Sequence, residues 1–126
     1  MYYFSRVLPL DIDQAETVAR TALSAEGFGV LTEIDIAATL KKKLDVDVQP
    51  YKILGACNPP LAHQALQSEP HIGLMLPCNV ILREVDGGTE VSAIDPVASM
   101  MAIQNEELGG VATDVRERLK RVIEGL

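Results

Sequence analysis

The segment Asp86-Gly87-Gly88-Thr89 restricts the fold more than any other part of the chain. Its glycines supply the backbone angles that a tight connection between two antiparallel strands requires. Asn79 to Val85 on one side and Glu90 to Ile94 on the other read as the strands, so the stretch predicts a hairpin. Asp95-Pro96 then breaks the chain, and Val97 to Ile103 reads as a short helix or turn. From Glu106 to Glu124, Leu108, Val111, Ala112, Val115, Leu119, Val122 and Ile123 fall on one face of a long helix. Gly109-Gly110 weakens the start of that helix. A hairpin with long amphipathic helices predicts an α+β fold, a mostly antiparallel sheet with helices packed on one face. The other sheet face is left to solvent or to a second subunit.

The chain before the hairpin adds to both layers. Tyr2 to Leu8 reads as a strand ended by Pro9. Asp11 caps a helix, with Gln14 three residues on and Ala15, Val18, Ala19, Ala22 and Leu23 at helical spacing. Gly27 is its expected stop. Phe28 to Ile34 predicts a second strand, with Phe28, Val30, Thr32 and Ile34 on one face. Asp35 caps a helix over Ile36 to Leu44 that is expected to bury Ile36, Leu40 and Leu44. Lys41, Lys42 and Lys43 fall in its last turns, where cations suit the helix dipole, and read as a solvated helix end rather than an anion site. Tyr51 to Ala56 is a third strand. Asn58 and Pro59 open a helix that runs to about Gln67 and buries Leu61, Ala62, Ala65 and Leu66. Glu69-Pro70 stops it, and Pro77 makes Ile72 to Leu76 a loop or an edge rather than a central strand. The predicted order is β-α-β-α-β-α-β-β-α. Strand alternation that leaves apolar residues on both faces predicts a two-fold homodimer.

A chain of 126 residues fits one domain with its own core. Its net charge of −7 opposes a phosphate backbone, and aromatic residues at 4% leave few side chains to stack on bases. A nucleic-acid role is not expected. The first ten residues lack the apolar h-region of a signal peptide, and no run is long enough for a membrane helix. The expected compartment is the cytoplasm, where both thiols rest reduced.

Four segments have a familiar pattern: G-F-G-V-L-T-E-I-D-I-A-A-T-L-K-K-K-L at 27–44, Y-K-I-L-G-A-C-N-P-P-L-A-H-Q-A-L at 51–66, I-G-L-M-L-P-C-N-V-I-L at 72–82 and S-A-I-D-P at 92–96. Over nearly its whole length the chain resembles the domain of unknown function 302 family. The resemblance implies a compact α+β fold of β-α-β(4)-α plan, similar to the TATA-box-binding-protein type, and often a dimer. It implies no activity, and a fold of that type hosts many unrelated functions.

Candidate chemistry concentrates between Leu54 and Asn79, which hold both cysteines and both histidines. Cys57 lies at a strand end just before a helix N-terminus, where unpaired N–H groups and the helix dipole are expected to stabilise a thiolate. The Asn58 amide caps that helix and can orient a bound group. His63 lies one turn on, and helical side chains tilt toward the N-terminus, so its imidazole is expected to lean toward Cys57. Cys78 and Asn79 begin another strand. If that strand end lies beside the Cys57 turn, two thiols and an imidazole converge. Three readings follow. The cysteines can be small buried hydrophobes with His63 on the surface. A transition metal can be held by Cys57, His63 and Cys78, with water or Asp95 as a fourth ligand. A thiol enzyme or redox protein can use Cys57, with His63 as base and Cys78 as resolving thiol.

His71 follows Pro70 in a turn, and Met100 and Met101 offer soft thioethers but more often fill core gaps. There is no phosphate loop, dinucleotide fingerprint, zinc-protease helix or nucleophile elbow. The expectation is a small ligand or metal bound through Cys57, Asn58, His63, Cys78 and Asn79. A thiol-dependent enzyme is the alternative, and an interaction module without site chemistry is a third class.

Overall fold

A computed structural model describes residues Met1–Leu126. Five strands, β1 (Tyr3–Leu8), β2 (Gly29–Asp35), β3 (Tyr51–Cys57), β4 (Cys78–Val85) and β5 (Gly88–Ile94), form one sheet in the order β1-β5-β4-β3-β2. Every neighbouring pair is antiparallel. The β4–β5 hairpin turns where the sequence predicts, with Val85 opposite Gly88. The helices are α1 (Ile12–Ala25), α2 (Ile36–Leu44), α3 (Pro59–Ser68), α4 (Pro96–Ser99) and α5 (Leu108–Glu124). A 3-10 turn at Pro70–Met75 takes the place of the loop expected before Pro77. No helix is long and apolar enough to cross a membrane.

Local chemistry sets the helix starts. Asp11, Asp35 and Asn58 each accept a hydrogen bond from the backbone N–H three residues ahead, at 2.8, 2.8 and 3.3 Å. α1 and α5 cover one face of the sheet. Ala15, Ala19 and Leu23 of α1 and Leu119, Val122 and Ile123 of α5 meet Leu54, Val80, Leu82, Val91 and Ala93 in the main core. The strand register explains the choice of face. Leu54 stands opposite Val80, and Val80 opposite Ala93, so one side of the sheet is continuously apolar.

Three packing expectations are corrected, the simplest being Leu66 of α3, which is exposed rather than buried. The register of β2 shifts between Val30 and Thr32. Val30 therefore lies opposite the buried Ala56, while Thr32 and Ile34 lie opposite Gly55 and Ile53, on the uncovered face. One extra residue in a strand moves everything after it to the other side. The expected stripe of α2 is not buried either: no α2 residue is, and Leu44 is 65% exposed. This helix follows the end of β2 and contributes nothing to the main core that α1 and α5 cover. Its aspartate cap and its lysines stabilise it locally instead.

Where α1 crosses β2 and β3, the helix-covered side carries charge. Lys52 donates to Glu16 at 2.9 Å and to Glu33 at 3.0 Å, and Arg20 donates to Glu16 at 2.9 Å and to Glu33 at 2.8 Å. The four side chains form a closed ring of alternating sign. Burial raises the Glu16 pKa, but hydrogen bonds from Lys52 and Arg20 and their charges more than offset this and hold it below its usual 4.5. A carboxyl with a lowered folded-state pKa gives stability at neutral pH that is lost as pH falls through that value. Lys52→Met leaves two carboxylates facing one cation. It is expected to cost about 1–3 kcal/mol at neutral pH, between the effect of exposed and fully buried pairs. The deficit should narrow between about pH 5 and about pH 3 as the carboxyls protonate. Denaturant titrations at both ends of that window check it, and an unchanged midpoint at neutral pH would show the ring to be energetically neutral.

A second, smaller core lies beyond the ends of β3 and β4. Ala65, Ile72, Leu108 and Val111 form it, with Leu61, Leu76, Met100, Ile103 and Val115 packed around them. α3, the 3-10 turn, α4 and the start of α5 make a helical cap on that end of the sheet. The candidate site occupies the seam between cap and sheet.

Candidate functional site

Ala56 pairs with Cys78 across β3 and β4, which sets Cys57 diagonally beside Cys78 at the sheet end. Both cysteines are free. Both line one apolar pocket at the seam, with Phe28 and Ala56 from the sheet side and Ala65, Met100 and Val111 from the cap. Cys78 is buried and Cys57 half-buried, so Cys57 is the thiol that solvent reaches first. Burial pushes the Cys78 thiol up to about 11, and the nearby Cys57 adds to the effect. The cavity volume is about 30 Å³. That is room for about one or two water molecules, far below the several hundred Å³ of a drug-sized site.

The start of α3 differs from the expectation. Pro59 and Pro60 occupy its first two positions and have no N–H. The next N–H, of Leu61, is taken by Asn58 Oδ1 at 3.3 Å, and that of Ala62 by the Asn58 carbonyl at 2.9 Å. No unpaired donor remains there to hydrogen-bond a thiolate. The Asn58 amide is also committed, since its Nδ2 donates to Glu26 O at 3.4 Å. Arg118 Nη1 donates to the same carbonyl at 3.2 Å, and Arg121 pairs with the Glu26 carboxylate at 2.9 Å. Asn58 ties the end of α1 to the start of α3.

Three other candidates stand apart from the thiols. Leu61, Ala62 and Ala65 turn into the pocket, so His63 lies exposed on the outer side of α3. Asp95 caps α4 through Val97 N at 3.0 Å and accepts from Arg116 Nε at 3.1 Å. Asn79 follows Cys78 in β4, and strand alternation puts it on the uncovered sheet face. The expected set of Cys57, His63, Cys78 and Asp95 is thus not assembled, and no group of three His, Cys, Asp or Glu side chains is placed to hold a metal. His71 is exposed. Met100 does reach the pocket, whereas Met101 is exposed. The sequence marked both as soft thioethers or gap fillers but did not say which of the two turns inward.

Next to the pocket, Pro77 packs across β3 at Gly55, where a Cβ would lie 2.7 Å from Pro77 Cγ and overlap Thr32 Oγ1. Only glycine lets the chain cross there. The uncovered face carries a broader hollow of about 430 Å³, walled by Tyr2, Tyr3 and Tyr51. Its charged pair, Arg83 and Glu90, is joined by hydrogen bonds of 2.9 and 3.2 Å.

A family model described as a domain of unknown function, DUF302, matches residues 4–126. No curated protein matches the chain. Among solved structures, the chain is similar to an uncharacterized conserved DUF302 protein from Bacillus stearothermophilus. The two share 25% sequence identity and a TM-score of 0.91, over 98% of this chain and 97% of the other.

Proposed function

Because the chain belongs to the DUF302 family, whose function is unknown, its role has to be read from its own residues, and we propose that it binds a ligand of a few atoms at the Cys57–Cys78 pocket. One observation carries the reading: two free cysteines line a single apolar pocket, one of them within reach of solvent. A void of about 30 Å³ argues for a small occupant that the sulfurs themselves recognise. Two free cysteines at neighbouring strand ends fit a reducing compartment such as the cytoplasm.

Alkylation with iodoacetamide tests it. In Cys78→Ser the remaining Cys57 is expected to react, while in Cys57→Ser the buried Cys78 should react at least about ten-fold more slowly. Filling the pocket with Ala62→Trp should suppress both. Equal rates for the two single-cysteine variants would end the reading.

A second reading is supported by the pairing of Ala56 with Cys78, which puts the two sulfur-bearing residues on a diagonal. A dithiol there can close to a disulfide when an oxidant accepts its two electrons and two protons. With His63 turned outward, that chemistry has no neighbouring base. The uncovered sheet face, with Ile53, Ile81 and Ile94 beside the tyrosines, supports a two-fold homodimer with that face as its contact. Light scattering at micromolar concentration should give twice the chain mass, and a monomer mass would refute it.

A further inference from the structure

We infer that the pocket is a binding site for one soft monovalent cation of the copper(I) class, held by Cys57 Sγ and Cys78 Sγ with the Met100 thioether as third donor. The inference rests on the proposed ligand pocket and names its occupant. Size is the first argument. The void of about 30 Å³ suits a single ion between side chains and is too small for an organic molecule with its own recognition groups.

Donor chemistry is the second. The seam brings together two thiols and a thioether with no histidine or carboxylate among them. Thiolate and thioether sulfur favour soft metals, copper(I), zinc and iron–sulfur clusters among them, and of these copper(I) is the one satisfied by as few as three donors. Zinc takes four protein donors in a structural site, one more than this seam provides, and hard cations take several oxygens. The one side-chain oxygen in the lining, Asn58 Oδ1, is already taken by Leu61 N.

The third argument is how the thiolates would be made. His63 faces away, and Pro59 and Pro60 leave the α3 start without free N–H groups. No protein group is placed to take the thiol protons or to hold the anions. A coordinating cation does both, because it displaces the proton from each thiol. Two protons leave to solvent, the sulfurs bind the ion, and the site carries one net negative charge with no change of oxidation state. Cys57 is half-buried, so that charge stays in contact with water. Met100 is partly exposed and unbranched, with three rotatable bonds that let its sulfur adjust to the ion.

The test is anaerobic titration of the reduced protein with copper(I) alone, in competition with a chromogenic copper(I) chelator. One ion per chain is expected. Cys57→Ser and Cys78→Ala should each weaken binding by more than about a hundred-fold, and Met100→Leu by roughly ten-fold. His63→Ala and Met101→Leu should bind as the unaltered chain does. A thermal midpoint for each variant separates loss of the site from loss of the fold. Failure of the folded, unaltered chain to compete would overturn the inference, as would unchanged affinity in Cys57→Ser. A His63→Ala variant as weak as Cys57→Ser would also overturn it, by assigning the ion to a different donor set. If copper(I) fails while Cys57 still alkylates selectively, the small-ligand pocket stands and only this occupant falls. If the thiols alkylate equally, the pocket reading falls with it.

Discussion

Gly88→Ala is expected to lower stability by more than about 4 kcal/mol, among the rare large effects of single substitutions. At Gly88 φ is +143°, a region that side chains disfavour. A Cβ there would overlap the Leu8 carbonyl oxygen and lie 3.0 Å from Leu8 C and 3.1 Å from Leu10 N. All of these are backbone atoms, so no side-chain rotation relieves the clash. β1 would have to move away from β5, breaking the Leu8–Thr89 end of their pairing and the Thr89 Oγ1 bond to Leu10 O at 2.9 Å. Gly87→Ala is the control, because nothing lies within 4 Å of a Cβ there even though φ is +90°. Denaturant unfolding should show the second variant losing only about 1 kcal/mol, the usual cost of a strained turn position. Similar losses in both would mean that the close approach of β1 is not what matters.

Leu119→Ala should cost about 2–5 kcal/mol, as for other fully enclosed leucines. Leu119 is 0% exposed and sits in the main core where α5 lies on the sheet. Truncation removes its buried surface and leaves a hole that a sheet on one side and α1 on the other cannot easily close. Lys120→Ala, one residue on, lies outside the buried set and should change stability by less than about 0.5 kcal/mol. Thermal or denaturant midpoints for the pair decide it. A shift for Leu119→Ala no larger than for Lys120→Ala would contradict the packing of α5.

The elements that could be read from sequence are those whose signals are local. Asp11, Asp35 and Asn58 announce their helices because a cap needs only the next few residues. Leu108 to Ile123 announce α5 because its whole stripe meets a partner, and Leu108, Val111, Ala112, Leu119, Val122 and Ile123 are all buried. Two readings failed for non-local reasons. Period-two alternation cannot foresee the register shift after Val30, and helical period in α2 cannot say that nothing covers Leu44. At the site, the convergence of Cys57 and Cys78 followed from two strand ends. The place of His63 was open to a better reading, because Leu61, Ala62 and Ala65 already mark the inward side of α3 and leave His63 outside it. Met100 reaches the pocket from the irregular chain after α4, where no period helps.

The seam that holds the thiols also has a thermodynamic meaning. The cap's own core has four buried residues against fifteen in the main one, so the cap is the less secured half of the molecule. Local opening follows the weaker set of contacts. An occupant that touches both halves acts as a cross-link that exists only while they are closed. At a free concentration a hundred times its dissociation constant, it would add about 2.7 kcal/mol against opening. Occupancy of the pocket would thereby be converted into rigidity of α3 and its neighbours, and a change in ligand supply would reach the outer surface of the cap as a change in its motion.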